Sequence, residues 1–129
     1  MAQNRETGAA ADSFGRENAR SLASALGVKI DLTGHGNESR FEGRRTVLKS
    51  AKRQTLKIGV SYLMLERLDS VIAAFEEDDG RWLVLELDAE EFKKNETPTM
   101  SRGPSAGKVG VVSKRFFLAA GKQLGVFNL

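Results

Sequence analysis

The stretch "GRRTVLKSAKR" (Gly43–Arg53) sets two pairs of strong bases around a short centre, Thr46–Lys49. Thr46, Val47 and Leu48 favour extended backbone, and the pattern predicts a strand over Arg44–Ala51. Side chains alternate across a strand, so Arg45, Val47 and Lys49 share one face while other bases point away from it. Gly43 marks a bend or bulge, with a short strand over Glu38–Glu42 ahead of it. The question this stretch raises is what its ringed lysine faces.

Toward the N-terminus, "VKIDLT" (Val28–Thr33) alternates Val28, Ile30 and Leu32 with polar residues, which predicts another strand. "GHGN" is rich in turn formers and reverses the chain after it. A helix is expected from Ser13 to Leu26, capped by Asp12 or Ser13. Phe14, Ala19, Leu22, Ala23 and Leu26 lie on one of its faces, and Gly27 ends it. Residues 1–12 contain little to bury and are expected to be a flexible leader.

Toward the C-terminus, "SYLMLERLDS" is helical in pattern, with Ser61 as its cap. "VIAAFEE" and "RWLVLEL" flank "DDG", a hairpin signal. Asp88 and Glu91 have the spacing of a capping box before a short helix, "AEEFKKN". The segment 96–107 holds both prolines and several small residues, and is expected to be a mobile loop. "VGVV" follows as a strand, then "KRFFLAAGKQLG" as a helix capped by Ser113. The order predicts an α+β or mixed α/β fold. It would be a single domain over 13–129, with one central mixed sheet flanked by helices.

Composition excludes several classes. The 129 residues are 40% hydrophobic and 29% charged, as in an ordinary globular domain. No apolar run approaches the roughly 20 residues that cross a bilayer, so no membrane partner is expected. The chain has no cysteine, which rules out a disulfide framework or a thiolate metal site. A cytoplasmic setting is the expectation. The net charge of +3 hides a block pattern. Residues 40–57 hold seven bases and one acid, residues 66–96 eleven acids and four bases, and residues 97–129 five bases and no side-chain acid. Such blocks produce a basic face even at small net charge.

The strand carrying Asp31 and the later strand ending in "VLKSA", with a helix before them, resemble the PD-(D/E)XK nuclease superfamily. The resemblance covers roughly Ser13–Leu87 and rests on element order and a few residues. It implies a restriction-endonuclease-like sheet in which an acid and an acid-x-lysine triplet meet at one edge. Position by position, Asp31 matches the first acid, the metal ligand, and Lys49 matches the lysine. Two close carboxylates would hold Mg2+ or Mn2+, which stabilises charge on the scissile phosphate and activates water. The lysine would orient that water or offset developing charge. The departure lies at Val47, where the triplet's acid belongs and valine cannot ligate a metal. A second carboxylate supplied from elsewhere, with Glu17 and Glu42 as candidates, would make a rearranged site, and its lack an impaired one.

Other motifs carry less. Arg44, Arg45, Lys52, Arg53 and Lys57, with Arg102 and Lys108 from the loop, are candidate phosphate contacts. "SRGPSAGK" falls one residue short of a Walker A loop, and its Ser105–Lys108 spacing has no companion motif. His35, the lone histidine, is expected to be an exposed turn residue. "EEDDG" lacks the ligand alternation of a calcium loop. Phe116 and Phe117 are adjacent, so only one ring can point fully inward. The leading expectation is a nucleic-acid-binding protein, DNA rather than RNA, with a nuclease-like core and an impaired or rearranged metal site. In its active form this would be a metal-dependent endonuclease. The alternative is a small interaction protein, a phage-encoded inhibitor or an accessory subunit of a bacterial nucleic-acid-processing complex, with a protein partner or a second copy of itself.

Overall fold

A computed structural model describes residues 17–30, 36–98 and 107–129. The expected leader, and residues 99–106 of the expected loop, lie outside them. Residues 17–26 are helical (α1), and Gly27 follows with φ of 71°. Strand β1 (Glu38–Phe41) runs antiparallel to β2 (Arg44–Ala51). The two residues between them, Glu42 and Gly43, both have positive φ, 52° and 79°. Such a two-residue turn matches the right-handed twist of the strands and fixes their register. Phe41 therefore faces Arg44, Arg40 faces Arg45 and Glu38 faces Val47.

After β2 come β3 (Lys57–Ser61), a one-turn helix α2 (Tyr62–Leu65) and β4 (Ser70–Glu76). The chain then forms β5 (Trp82–Asp88), α3 (Ala89–Asn95), β6 (Thr97–Pro98), β7 (Val109–Ser113), α4 (Lys114–Ala120) and β8 (Lys122–Phe127). The main sheet has the order β1-β2-β4-β5-β8, with β2 and β4 parallel and every other pair antiparallel. A second, antiparallel sheet has the order β3-β7-β6. The fold is α+β, as the element pattern predicts.

Alternation along β2 and β4 builds two cores. Leu48, Ile72, Ala74, Trp82 and Val84 pack under Ala19, Leu22 and Ala23 of α1. Val47, Val71, Phe75 and Leu85, on the opposite face, pack against Ile58, Val60 and Val112 of the second sheet and Phe117 of α4. Phe75 and Phe92 each meet Phe117 edge-on, at 5.5 and 6.3 Å between centroids. Phe117 is buried and Phe116 only partly so, as adjacent aromatic residues require.

The sequence reading needs four corrections. The second sheet was not anticipated: Ile58 and Val60 alternate with polar or small residues, yet the strand is short and its partner β7 lies far along the chain. The helix expected over 61–70 stops at Leu65, because Asp69 docks on β2. Its backbone N–H donates to the Arg45 carbonyl (2.8 Å), and its carboxylate accepts from the Arg45 N–H (2.9 Å). The last helix ends at Ala120 rather than Gly125. A Cβ on Gly121 would lie 2.5 Å from the Phe117 carbonyl, so glycine alone permits the turn into β8. Finally, Thr97 and Pro98 of the expected loop pair with β7, where proline is tolerated because β6 is an edge strand.

Two helix caps form as expected. Ser61 accepts from the Met64 N–H and Ser113 from the Phe116 N–H, both at 3.2 Å. The capping box does not form. Asp88 makes no side-chain cap, and its carboxylate binds Arg44 instead.

Candidate functional site

Arg44 and Arg45 are neighbours in sequence and point to opposite faces of the main sheet. On the α1 side, the Arg44 guanidinium donates to Asp88 (2.6 Å) and to the Asp69 carbonyl (2.9 Å), with Glu86 at 3.7 Å. Hydrogen bonding to Asp88 holds its pKa above the usual range. Glu86 is 6% exposed and also accepts from Ser70 Oγ at 2.7 Å. Thr46 extends the network by donating to the Ser70 carbonyl at 3.0 Å. Arg44 therefore pairs with two acids of β5, exposed Asp88 and buried Glu86. Its donors are committed to structure.

Arg45 stands in the opposite situation. On its face, Glu38 is 1% exposed and bound through both oxygens by Arg67, at 2.8 and 3.0 Å. Arg45 reaches the same carboxylate only at 3.7 Å. Directly across the hairpin from Arg45 is Arg40, exposed and in no ion pair among the described residues. Ile30 bridges to Ser39, and Ser39 Oγ donates to the Lys29 carbonyl at 2.6 Å, which fixes residues 28–30 along β1. Continuing that antiparallel register by one residue sets Lys29 beside Arg40. Three cations thus stand in a row across neighbouring strands spaced about 4.8 Å apart. Like charges directly opposite on one sheet face repel. Lys29, Arg40 and Arg45 line a cleft of about 370 Å³ together with Ile30, Glu38 and Ser39. Glu38, the one carboxylate among the described residues of that cleft, already carries Arg67.

Lys49 lies further along the same face as Arg45, half-buried beside Ala73 of β4. Its ammonium makes no hydrogen bond or ion pair to a described residue. Burial pushes its pKa below the ordinary value. It stands four residues from Arg45, about 13 Å along the strand.

The second-carboxylate candidates are not brought to it. Val47 is fully buried between the two sheets. Glu42 sits at the tip of the β1–β2 turn, seven residues from Lys49, and the alternation of β2 cannot shorten that separation. Glu17 is exposed on α1, across the main sheet from Lys49. Asp31, the first-acid candidate, lies outside the described residues, as does His35. Among the described residues no three His, Cys, Asp or Glu side chains cluster as a metal site. Glu38 is the acid opposite Val47, but both its oxygens accept from Arg67, and the guanidinium groups of Arg67 and Arg45 repel a divalent cation. The described residues therefore do not fit Mg2+ or Mn2+.

The remaining bases do not gather into one patch. Arg53 meets Glu76 at 3.9 Å, and its backbone N–H donates to the same carboxylate. Lys52 lies exposed in the turn after β2 and has an interaction of its own. Lys57 begins β3, paired with Ser113, while Lys108 precedes β7 near Ser61, at the other end of the second sheet. Arg102 lies outside the described residues. "EEDDG" is a hairpin tip: Asp79 accepts from the Arg81 N–H (3.0 Å) and Nε (2.7 Å), bonds that hold its carboxyl below the usual range.

Sequence reasoning missed Glu38, Arg67, Arg40 and Lys29. The first and third were recoverable. A two-residue Glu-Gly turn sets the pairing 41–44, 40–45, 38–47, which places Arg40 against Arg45 and a glutamate against Val47. Arg67 carries no local signal, since its partner is 29 residues away. No described helix is long and apolar enough to cross a membrane. Compared with known families and with curated proteins, the chain matches none.

Proposed function

We propose that the protein binds nucleic acid, DNA in preference to RNA, through the cationic face of the β1–β2 hairpin. The core would be nuclease-like and its metal site impaired. The observation that carries this reading is the row Lys29–Arg40–Arg45, whose mutual repulsion is relieved when phosphate binds between the strands. A mixed sheet with a parallel β2–β4 pair and a half-buried Lys49, without a partner among the described residues, is the support for nuclease kinship. The buried Val47 favours binding without hydrolysis. In the hydrolytic version, Asp31 and a further carboxylate would have to hold the ion. A cytoplasmic setting suits a chain without cysteine.

The test is fluorescence anisotropy with labelled single- and double-stranded DNA and matching RNA. The expected result is affinity that falls steeply, by at least tenfold, between about 50 and 200 mM salt, with no cleavage in Mg2+ or Mn2+. Salt-insensitive or absent binding overturns the reading. Cleavage that Asp31→Ala abolishes would replace it with the endonuclease. One observation favours the interaction-protein reading: Leu63 on α2 is 74% exposed, with Leu56 and Leu118 more than half exposed. A stoichiometric complex with a bacterial protein, stable in moderate salt and without nucleic acid, would bring it forward.

A further inference from the structure

The cationic cleft has a size and a charge that distinguish one kind of phosphate from another. At about 370 Å³ it lies in the range of small-ligand pockets rather than of a channel for a duplex. Its wall presents Lys29, Arg40 and Arg45, three positive charges. Among the described lining residues the single acid is Glu38, and both its oxygens accept from Arg67. An internal phosphodiester brings one negative charge to these three cations. A phosphate monoester brings close to two and offers three free oxygens, enough for both guanidinium groups and the ammonium at once. Arg40 and Arg45 face each other across a fixed hairpin register, so their spacing is set before any ligand arrives.

We propose that this cleft is a pocket for a phosphate monoester, the terminal phosphate of a nucleic-acid strand or of a free nucleotide. The strand-end form rests on the nucleic-acid reading above. Internal phosphates, with one charge and two free oxygens, would bind the same cations more weakly.

The experiment compares short single-stranded oligonucleotides carrying a 5′-phosphate, a 3′-phosphate or only hydroxyl ends, at one salt concentration. The expected result is at least tenfold tighter binding of one phosphorylated end. Arg40→Gln should reduce that preference to within about twofold, because it removes one of three cations from the wall. Lys29→Gln is the second variant should Arg40→Gln melt early, and inorganic phosphate or a nucleoside monophosphate should compete. Equal binding of all three oligonucleotides overturns the pocket and leaves the nucleic-acid reading standing. Binding of nucleoside monophosphate without oligonucleotide binding supports the pocket and removes the nucleic-acid reading. No stabilisation by any phosphate ester overturns both.

Discussion

Arg44 and Arg45 are adjacent in one strand, yet their surroundings are opposite. Arg44 enters a polar network in which Asp88, Glu86 and the Asp69 carbonyl take up its donors. Arg45 meets one carboxylate that Arg67 already holds, and it faces a second arginine across the hairpin. The pleat deals Arg44 and Arg45 to two faces, and the acids brought by β5 neutralise only the first. A run of bases is therefore no measure of a basic surface. What counts is which bases share a face with acids from elsewhere in the chain.

The contrast can be broken first at its most buried point. Arg67→Ala leaves the buried Glu38 carboxylate with only Arg45, at 3.7 Å, and a melting temperature lower by about 10 °C is expected, because breaking a buried ion pair is among the costliest lesions. Thermal unfolding followed by circular dichroism would check it, and an unchanged transition would mean that Glu38 does not depend on Arg67. Next comes Arg44→Ala, which leaves Glu86 with only Ser70. It should lower the melting temperature by about 5–10 °C while leaving the strength of DNA binding unaltered.

Lys49 sharpens the comparison through pH. Its folded pKa lies below the ordinary 10.5, so its burial cost is fully present while both states are charged, at pH below the folded value. As pH rises from that value toward 10.5, the native state gives up its proton first and stability increases. Lys49→Met should stabilise the protein at neutral pH by about 1 kcal/mol and remove this rise, as denaturant titrations at several pH values would register. The smallest effect on folding belongs to Arg40→Gln. Its side chain is exposed and unpaired among the described residues, so stability should move by less than about 0.5 kcal/mol, with relief of the Arg40–Arg45 repulsion favouring a slight gain.

Local patterns were legible where they decide structure by themselves. The β4–β5 hairpin at "DDG", the Ser61 and Ser113 caps and the separation of bases along β2 all follow from short-range chemistry, whereas Gly43 reads as a bend or bulge and is half of a two-residue turn with Glu42. What failed was set at long range. Asp88 has the right spacing for a capping box, but Arg44 arrives from 44 residues away and takes its carboxylate. "SYLMLERLDS" reads as a longer helix until Asp69 is known to dock on β2. For the candidate site, alternation placed Arg45 and Lys49 together correctly. The choice of Glu17 and Glu42 as replacement acids looked along the chain, whereas the acid opposite Val47 lies across the hairpin.

Arg40 has no ion pair among the described residues, whereas Arg53 meets Glu76 at 3.9 Å. The most direct test is the slope of log affinity for DNA against log salt, measured for the parent protein, Arg40→Gln and Arg53→Gln. Loss of a phosphate contact should reduce the magnitude of that slope by about 0.7–0.9 in Arg40→Gln, while Arg53→Gln keeps the parent slope. Equal slopes in all three proteins, or a loss confined to Arg53→Gln, would contradict the division of the two faces.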